Sequence, residues 1–141
     1  METQASNGKI RTLVVEDKWL LRRATRMVLT HEPDIEVVGT AKDGVAALDR
    51  IEALRPDVVV ADIAMPSMGG LELSFLLRRR FPAIRIVLVT PTQAAEISDL
   101  CGLCGADLLM NKARIPDKLP ALIRMMFKSP RLSPDRQFSV P

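Results

Sequence analysis

The sequence predicts an α/β domain: a doubly wound parallel sheet with helices on both faces. Three observations carry this expectation. Aliphatic runs and helical periodicities alternate along the chain, strand then helix, which is the pattern of a parallel sheet with crossover helices. Residues 58–61 (Val-Val-Val-Ala) and 86–89 (Ile-Val-Leu-Val) are apolar at every position, as strands covered on both faces must be. Pro33, Pro56 and Pro82 stand just past helical stretches, where proline blocks their continuation.

Residues 1–8 are polar and are expected to be a disordered tail. The first strand covers 10–15. A helix follows over about 18–31, with Leu20, Leu21, Ala24, Met27 and Val28 on one face. The second strand covers 35–39. Asp43 is placed to cap a helix over 44–54, whose apolar positions are Val45, Ala47, Leu48, Ile51 and Leu54. The third strand ends at Asp62. A helix opens after Gly70 with Leu71, Leu73, Phe75, Leu76 and Leu77, and Pro82 closes it. The fourth strand is read at 84–89, a helix at 93–104, the fifth strand at 107–111 and a last helix at 116–127. In that last helix Leu119, Leu122, Ile123 and Met126 face inward, and Pro120 falls in about the first turn, where proline is tolerated. Residues 9–127 thus form one domain, and 128–141 a Pro-rich tail or linker.

Right-handed crossovers bring the carboxyl ends of all the strands to one rim. The flavodoxin-like order 2-1-3-4-5 sets the ends of strands one and three side by side at the switch point, where open α/β sheets place their ligands. Glu16 and Asp17 follow strand one and Asp62 ends strand three, so the three carboxylates converge. Thr90 follows strand four and Lys112 closes strand five, on the same rim. Taken singly, each has a bland reading. Asp17 could cap a helix, Thr90 could be an ordinary strand end and Lys112 a surface lysine. Their joint arrival at one rim argues for a site.

Composition narrows the function. The net charge of +3 sits in the tails: residues 12–127 carry 15 basic and 15 acidic residues. Such a balance argues against direct nucleic-acid contact. The clusters Arg22-Arg23 and Arg78-Arg79-Arg80 read as solvated helix faces. Cys101 and Cys104 form a C-x-x-C without the further ligands of a zinc site, since His31 is the only histidine. No apolar stretch is long enough to span a membrane, and the first ten residues lack the core of a secretory signal, so the expected location is cytoplasmic.

Clustered carboxylates repel one another unless a hard cation offsets them, and Mg2+ favours one or two carboxylates plus waters. A lysine supplies a point charge suited to phosphate, and a threonine hydroxyl can donate to a phosphoryl oxygen. Together these groups describe phosphoryl transfer onto a carboxylate. The stretches LVVED at 13–17, PDVVVADIAMPSMGGLEL at 56–73, IVLVT at 86–90 and GADLLMNK at 105–112 resemble the receiver domains of two-component response regulators (CheY-like). The resemblance covers about 9–127, and residues 36–48 are especially similar to receivers that precede helix-turn-helix output domains. It implies that Asp62 accepts a phosphoryl group from a histidine kinase or phosphotransfer protein. It implies that Asp17, Asp62 and the Ala64 carbonyl ligate Mg2+, with Glu16 acting mostly through metal-bound water. Lys112 would pair with Asp62 and then with the phosphoryl group, and Thr90 would move toward that group. The chain would be a signalling switch, not an enzyme. A homodimer through the helix at 93–104, the fifth strand and the last helix is also implied, with Met110, Asn111, Arg114 and Lys118 on that surface.

Three residues depart from the family pattern. Pro91 follows Thr90 and lacks the N–H that the family usually offers to the phosphoryl group. Leu109 stands where tyrosine or phenylalanine commonly switches rotamer. Ala113 replaces a frequent proline after Lys112, so a trans bond is expected there. These departures motivate an alternative, an interaction module that works without phosphorylation. Haloacid-dehalogenase-type phosphatases also form an aspartyl phosphate, but through D-x-D, whereas Glu16 and Asp17 are adjacent. A flavin phosphate would be repelled by the Glu-Asp-Lys-Trp loop. Trp19 is expected beside the acidic site.

Overall fold

The structure, a computed structural model, describes residues 8–91 and 103–128. Strands β1 (Ile10–Val15), β2 (Ile35–Ala41), β3 (Val58–Asp62), β4 (Arg85–Thr90) and β5 (Leu108–Asn111) form one parallel sheet in the order β2-β1-β3-β4-β5. Helices α1 (Trp19–Thr30), α2 (Gly44–Leu54), α3 (Gly70–Arg80) and α4 (Ile115–Lys128) cover it, with a 3-10 turn at Lys112–Arg114 leading into α4. Fold class and strand order are those the sequence predicts. The helix expected at 93–104 lies outside the described residues except for Leu103 and Cys104, which are helical. The expected tails lie outside them too, apart from Gly8 and Lys128.

Strand alternation sorts the core into two layers. Leu13, Val15, Val59, Ala61, Ile86, Leu88 and Leu109 face one side, against Ala47 and Ile51 of α2 and Leu73 and Leu77 of α3. Val14, Val58, Val60, Val87, Val89 and Met110 face the other, against Leu29 of α1 and Leu119, Leu122 and Ile123 of α4. Every residue of β3 is buried, as its unbroken apolar run requires. Asp43 caps α2 by accepting from the Ala46 N–H at 2.8 Å.

The helices depart from expectation mainly in rotation. In α1 the buried residues are Thr25 and Leu29, while Leu20 and Met27 are exposed. Val45 and Phe75 also face out. Strand β2 runs two residues further than expected, because Thr40 and Ala41 stay in register with Val14 and Val15. Strand β4 begins at Arg85, paired with Val58. Pro120 lies beyond the first turn, because α4 starts at Ile115. Met110 is buried, so of the residues expected on the dimer surface only Asn111, Arg114 and Lys118 keep exposed area.

Arg78 is not a solvated arginine. Its guanidinium donates to the carbonyls of Gly105, Pro82 and Ile84 and to Asp107 Oδ2, clamping the end of α3 to the entry of β5. Arg124 of α4 likewise donates to Asp34 at 2.6 Å and pairs with Glu32, holding α4 to the α1–β2 connection. These two carboxylates raise the Arg124 guanidinium above its usual range.

Candidate functional site

The β1 and β3 ends lie side by side because β1 pairs Val15 with Ala61. Glu16 continues from β1, anchored by its N–H to the Ala41 carbonyl at 3.0 Å. Asp62 closes β3, and the next residue, Ile63, donates to the Val89 carbonyl at 2.9 Å. The chain then turns back, and Gly70 N–H donates to the Ile63 carbonyl at 2.8 Å. The close return needs glycine: a Cβ on Gly70 would stand 2.5 Å from the Asp62 carbonyl oxygen.

Glu16, Asp17 and Asp62 each offer one carboxylate oxygen, and the three lie within 4.8 Å of one another. Lys112 Nζ reaches Asp62 Oδ2 at 2.8 Å and Glu16 Oε1 at 3.0 Å. The other oxygen of Asp62 accepts from the Ala64 N–H at 3.2 Å, and Glu16 Oε2 from the Lys18 N–H at 3.2 Å. Among the described residues Asp17 Oδ1 is buried and accepts no hydrogen bond; Lys18 Nζ, at 3.9 Å, is too far to give one.

Burial pushes the Glu16 carboxyl above its ordinary value, and the nearby Asp62 charge adds to this; the bonds from Lys112 and Lys18 only partly oppose it. For Lys112 burial alone would lower the ammonium. Its hydrogen bonds to Asp62 and Glu16 outweigh burial and raise it. The site is therefore a half-buried ammonium shared between two buried carboxylates, with a third carboxylate beside them.

Thr90 ends β4, opposite Asn111 at the end of β5, and is buried at the same rim. Its successor Pro91 is exposed. Five positions expected at one rim, Glu16, Asp17, Asp62, Thr90 and Lys112, are thus brought there. Asp17 does not cap α1: the N-cap position belongs to Lys18, and no side chain caps it. Trp19 is exposed and lines a cavity between α1 and β2. No peptide bond among the described residues is cis, as expected for Lys112–Ala113. The second bond of Lys112, to Glu16, was not foreseen, because nothing in the spacing says which carboxylates a lysine from β5 will reach.

The model of the response regulator receiver domain matches residues 12–124. The chain belongs to this family. This receiver domain is 38% identical over 109 residues to a protein-glutamate methylesterase/protein-glutamine glutaminase of Methanospirillum hungatei JF-1, covering 74% of the chain and 31% of that relative. The chain thus spans under a third of that curated relative's length. Among solved structures it is similar to the receiver domain of the putative response regulator NarL of Mycobacterium tuberculosis, with a TM-score of 0.82 and 28% identity over 86% of this chain and 98% of that one. The response regulator domain of Thermotoga maritima CheB gives a TM-score of 0.79 and 28% identity, over 86% and 98% of the two chains. No helix among the described residues is long and apolar enough to cross a membrane.

Proposed function

We propose that this receiver domain is a cytoplasmic phosphoacceptor that takes a phosphoryl group onto Asp62 from a histidine kinase or phosphotransfer protein, and that it turns over no external substrate. The observation that carries this reading is the Asp62 carboxylate at the rim, with Lys112 at 2.8 Å and two further carboxylates within reach of one cation. The residues fit Mg2+: hard oxygen donors converge, and Asp17 Oδ1 is buried with no hydrogen bond from the described residues to satisfy it. Glu16, Asp17, Asp62 and the Ala64 carbonyl would hold the ion. When bound, it would offset the negative charge gathered between donor phosphate and carboxylates.

In this reading Asp62 is the nucleophile of the transfer. One carboxylate oxygen attacks the phosphorus of a phosphohistidine. The new O–P bond forms as the N–P bond breaks, and the electron pair of that bond leaves with the imidazole nitrogen. Lys112 is already within hydrogen-bond distance of Asp62 and follows the charge onto the phosphoryl oxygens. Thr90, at the adjacent strand end, has a hydroxyl to donate to one of them. Intact mass after treatment with acetyl phosphate and Mg2+ tests this. One added phosphoryl group is expected on the wild type and none on Asp62→Asn; equal uptake by both overturns the assignment.

A second reading, an interaction module independent of phosphorylation, draws on Leu109 and Pro91. Leu109 is 7% exposed and packed in the core layer beneath α3, so no ring is there to swing. Pro91 has no N–H for a phosphoryl oxygen. Beryllofluoride with Mg2+ separates the readings: amide shifts at Thr90, Lys112 and the exposed face of Asn111, Arg114 and Lys118 favour a switch, and shifts confined to the acidic loops favour the module.

A further inference from the structure

The even charge balance of residues 12–127 hides a separation. Three acids crowd the carboxyl rim of the sheet, and arginines gather at the opposite, amino end. Arg11 is the second residue of β1, Arg85 opens β4, Arg55 caps the end of α2 and Arg80 ends α3. In a parallel sheet with crossover helices these positions share one pole. Arg11 Nη1 donates to the Arg55 carbonyl at 2.8 Å, and the Arg85 N–H to the Asp57 carbonyl at 3.0 Å. The guanidinium carbons of Arg55 and Arg80 lie over the Phe81 ring, 4.7 and 5.2 Å from its centre, and that of Arg85 lies 5.5 Å from the centre of Phe127. Most acids of this pole are already engaged. Glu32 and Asp34 pair with Arg124, Asp107 pairs with Arg78, and buried Asp57 accepts from the Arg11 N–H. The exposed Glu52 stands 3.9 Å from Arg80; among the described residues Arg11, Arg55 and Arg85 have no carboxylate partner.

We propose that this pole binds the phosphate backbone of a nucleic acid without reading its bases. Two guanidiniums over one ring repel each other, and a shared anion relieves that repulsion. The dipoles of α2 and α3 account for a cation at each helix end, but not for Arg11 at the start of a strand. Guanidinium planes held on rings and by backbone carbonyls are pre-organised for two parallel hydrogen bonds to a phosphate. A membrane or a helical protein partner would need exposed apolar anchors. The rings available here, Phe81 and Phe127, are half-buried and lie under the arginines. A repeating phosphate fits a patch that offers charge and planar donors alone. The proposal does not depend on phosphorylation of Asp62.

The test uses the full chain and labelled DNA duplexes of two unrelated sequences, read by fluorescence anisotropy at low salt. A poly-glutamate peptide and phosphatidylserine vesicles stand for an acidic protein and a membrane. Both duplexes are expected to bind with equal affinity, which falls steeply with added salt. Arg55→Gln combined with Arg80→Gln should weaken both by about tenfold or more and lower the salt slope by about two. Arg23→Gln combined with Arg26→Gln removes the same charge from α1 and should weaken them far less. Thermal melts check that the variants fold, and their uptake of acetyl phosphate should stay at the wild-type level. The Nε–Hε signals of Arg55, Arg80 and Arg85 in the wild type are expected to move when duplex is added, a readout that needs no variant. No binding, equal losses in the two double variants, wild-type affinity in the folded Arg55 and Arg80 variant, or unmoved arginine signals overturns the proposal. So does a strong preference for one duplex, or tighter binding of the peptide or the vesicles than of DNA.

Discussion

Lys112 Nζ stands 2.8 Å from Asp62 Oδ2, and the bond joins residues fifty apart in sequence across the intervening strand β4. Asp62 is 2% exposed and Glu16 5%, so Lys112 is the ammonium that compensates two buried carboxylates. Lys112→Met keeps the stem and removes the charge. Stripping one partner from a buried pair typically costs about 3 kcal/mol. Urea denaturation at pH 7 is expected to show a loss of that order, shrinking toward pH 4 as the orphaned carboxyls take up protons. A loss that is the same at both pH values would mean that packing, not charge, is what Lys112 contributes.

Glu16 gives the site a pH dependence of definite sign. Burial raises its carboxyl in the folded protein, so the native state binds the proton more tightly than the unfolded chain. Between the ordinary value of 4.5 and the raised one, the native state holds more protons, and this group's contribution to stability falls as pH rises. Glu16→Gln removes the titration and keeps a hydrogen-bonding side chain. In metal-free buffer, the variant's stability relative to wild type should therefore improve as pH climbs through that window. Parallel pH profiles for the two proteins would show that Glu16 does not titrate there.

The rim was legible in sequence because strand ends in a parallel sheet are set by topology, and topology followed from five aliphatic runs and the right-handed crossover rule. Helix rotation was less so. In α1, Leu20, Leu21, Ala24, Met27 and Val28 make a plausible inner stripe, yet the buried pair is Thr25 and Leu29. Two apolar stripes overlap on that helix, and only contact with β1 and β2 decides which one turns inward. Arg78 was illegible for a similar reason: its acceptors, the carbonyls of Gly105, Pro82 and Ile84, carry no sequence signal, and Asp107 lies 29 residues away.

Gly70 positions Asp62 through its lack of a side chain. A Cβ there would meet the Asp62 carbonyl oxygen at 2.5 Å and Leu88 Cδ2 at 2.9 Å. Leu88 can yield a little, but the backbone oxygen at the end of β3 cannot move without moving Asp62. Gly70→Ala should cost about 2 kcal/mol by overpacking and slow phosphoryl uptake from acetyl phosphate under conditions where the variant is fully folded. Normal uptake in a destabilised variant would separate the turn's packing role from the placement of Asp62.

Asp17 tests whether the acidic cluster is built for a cation. Its Oδ1 is buried without a hydrogen bond from the described residues, beside Glu16 and Asp62, an arrangement that costs stability while no cation is bound. Asp17→Asn removes one negative charge and adds an N–H donor to a cluster of acceptors. In chelator-treated protein the variant should therefore be more stable than wild type, by about 1 kcal/mol, or a melting temperature higher by a few degrees. Millimolar Mg2+ should reverse the order. The ion binds the native state of the wild type and stabilises it by mass action, and the variant, short of one hard ligand, gains little. Calorimetric melts with and without Mg2+ measure both effects on the same samples. A variant that is more stable without metal but gains as much from Mg2+ as wild type would leave Asp17 as a source of charge repulsion and remove it from the ligand set.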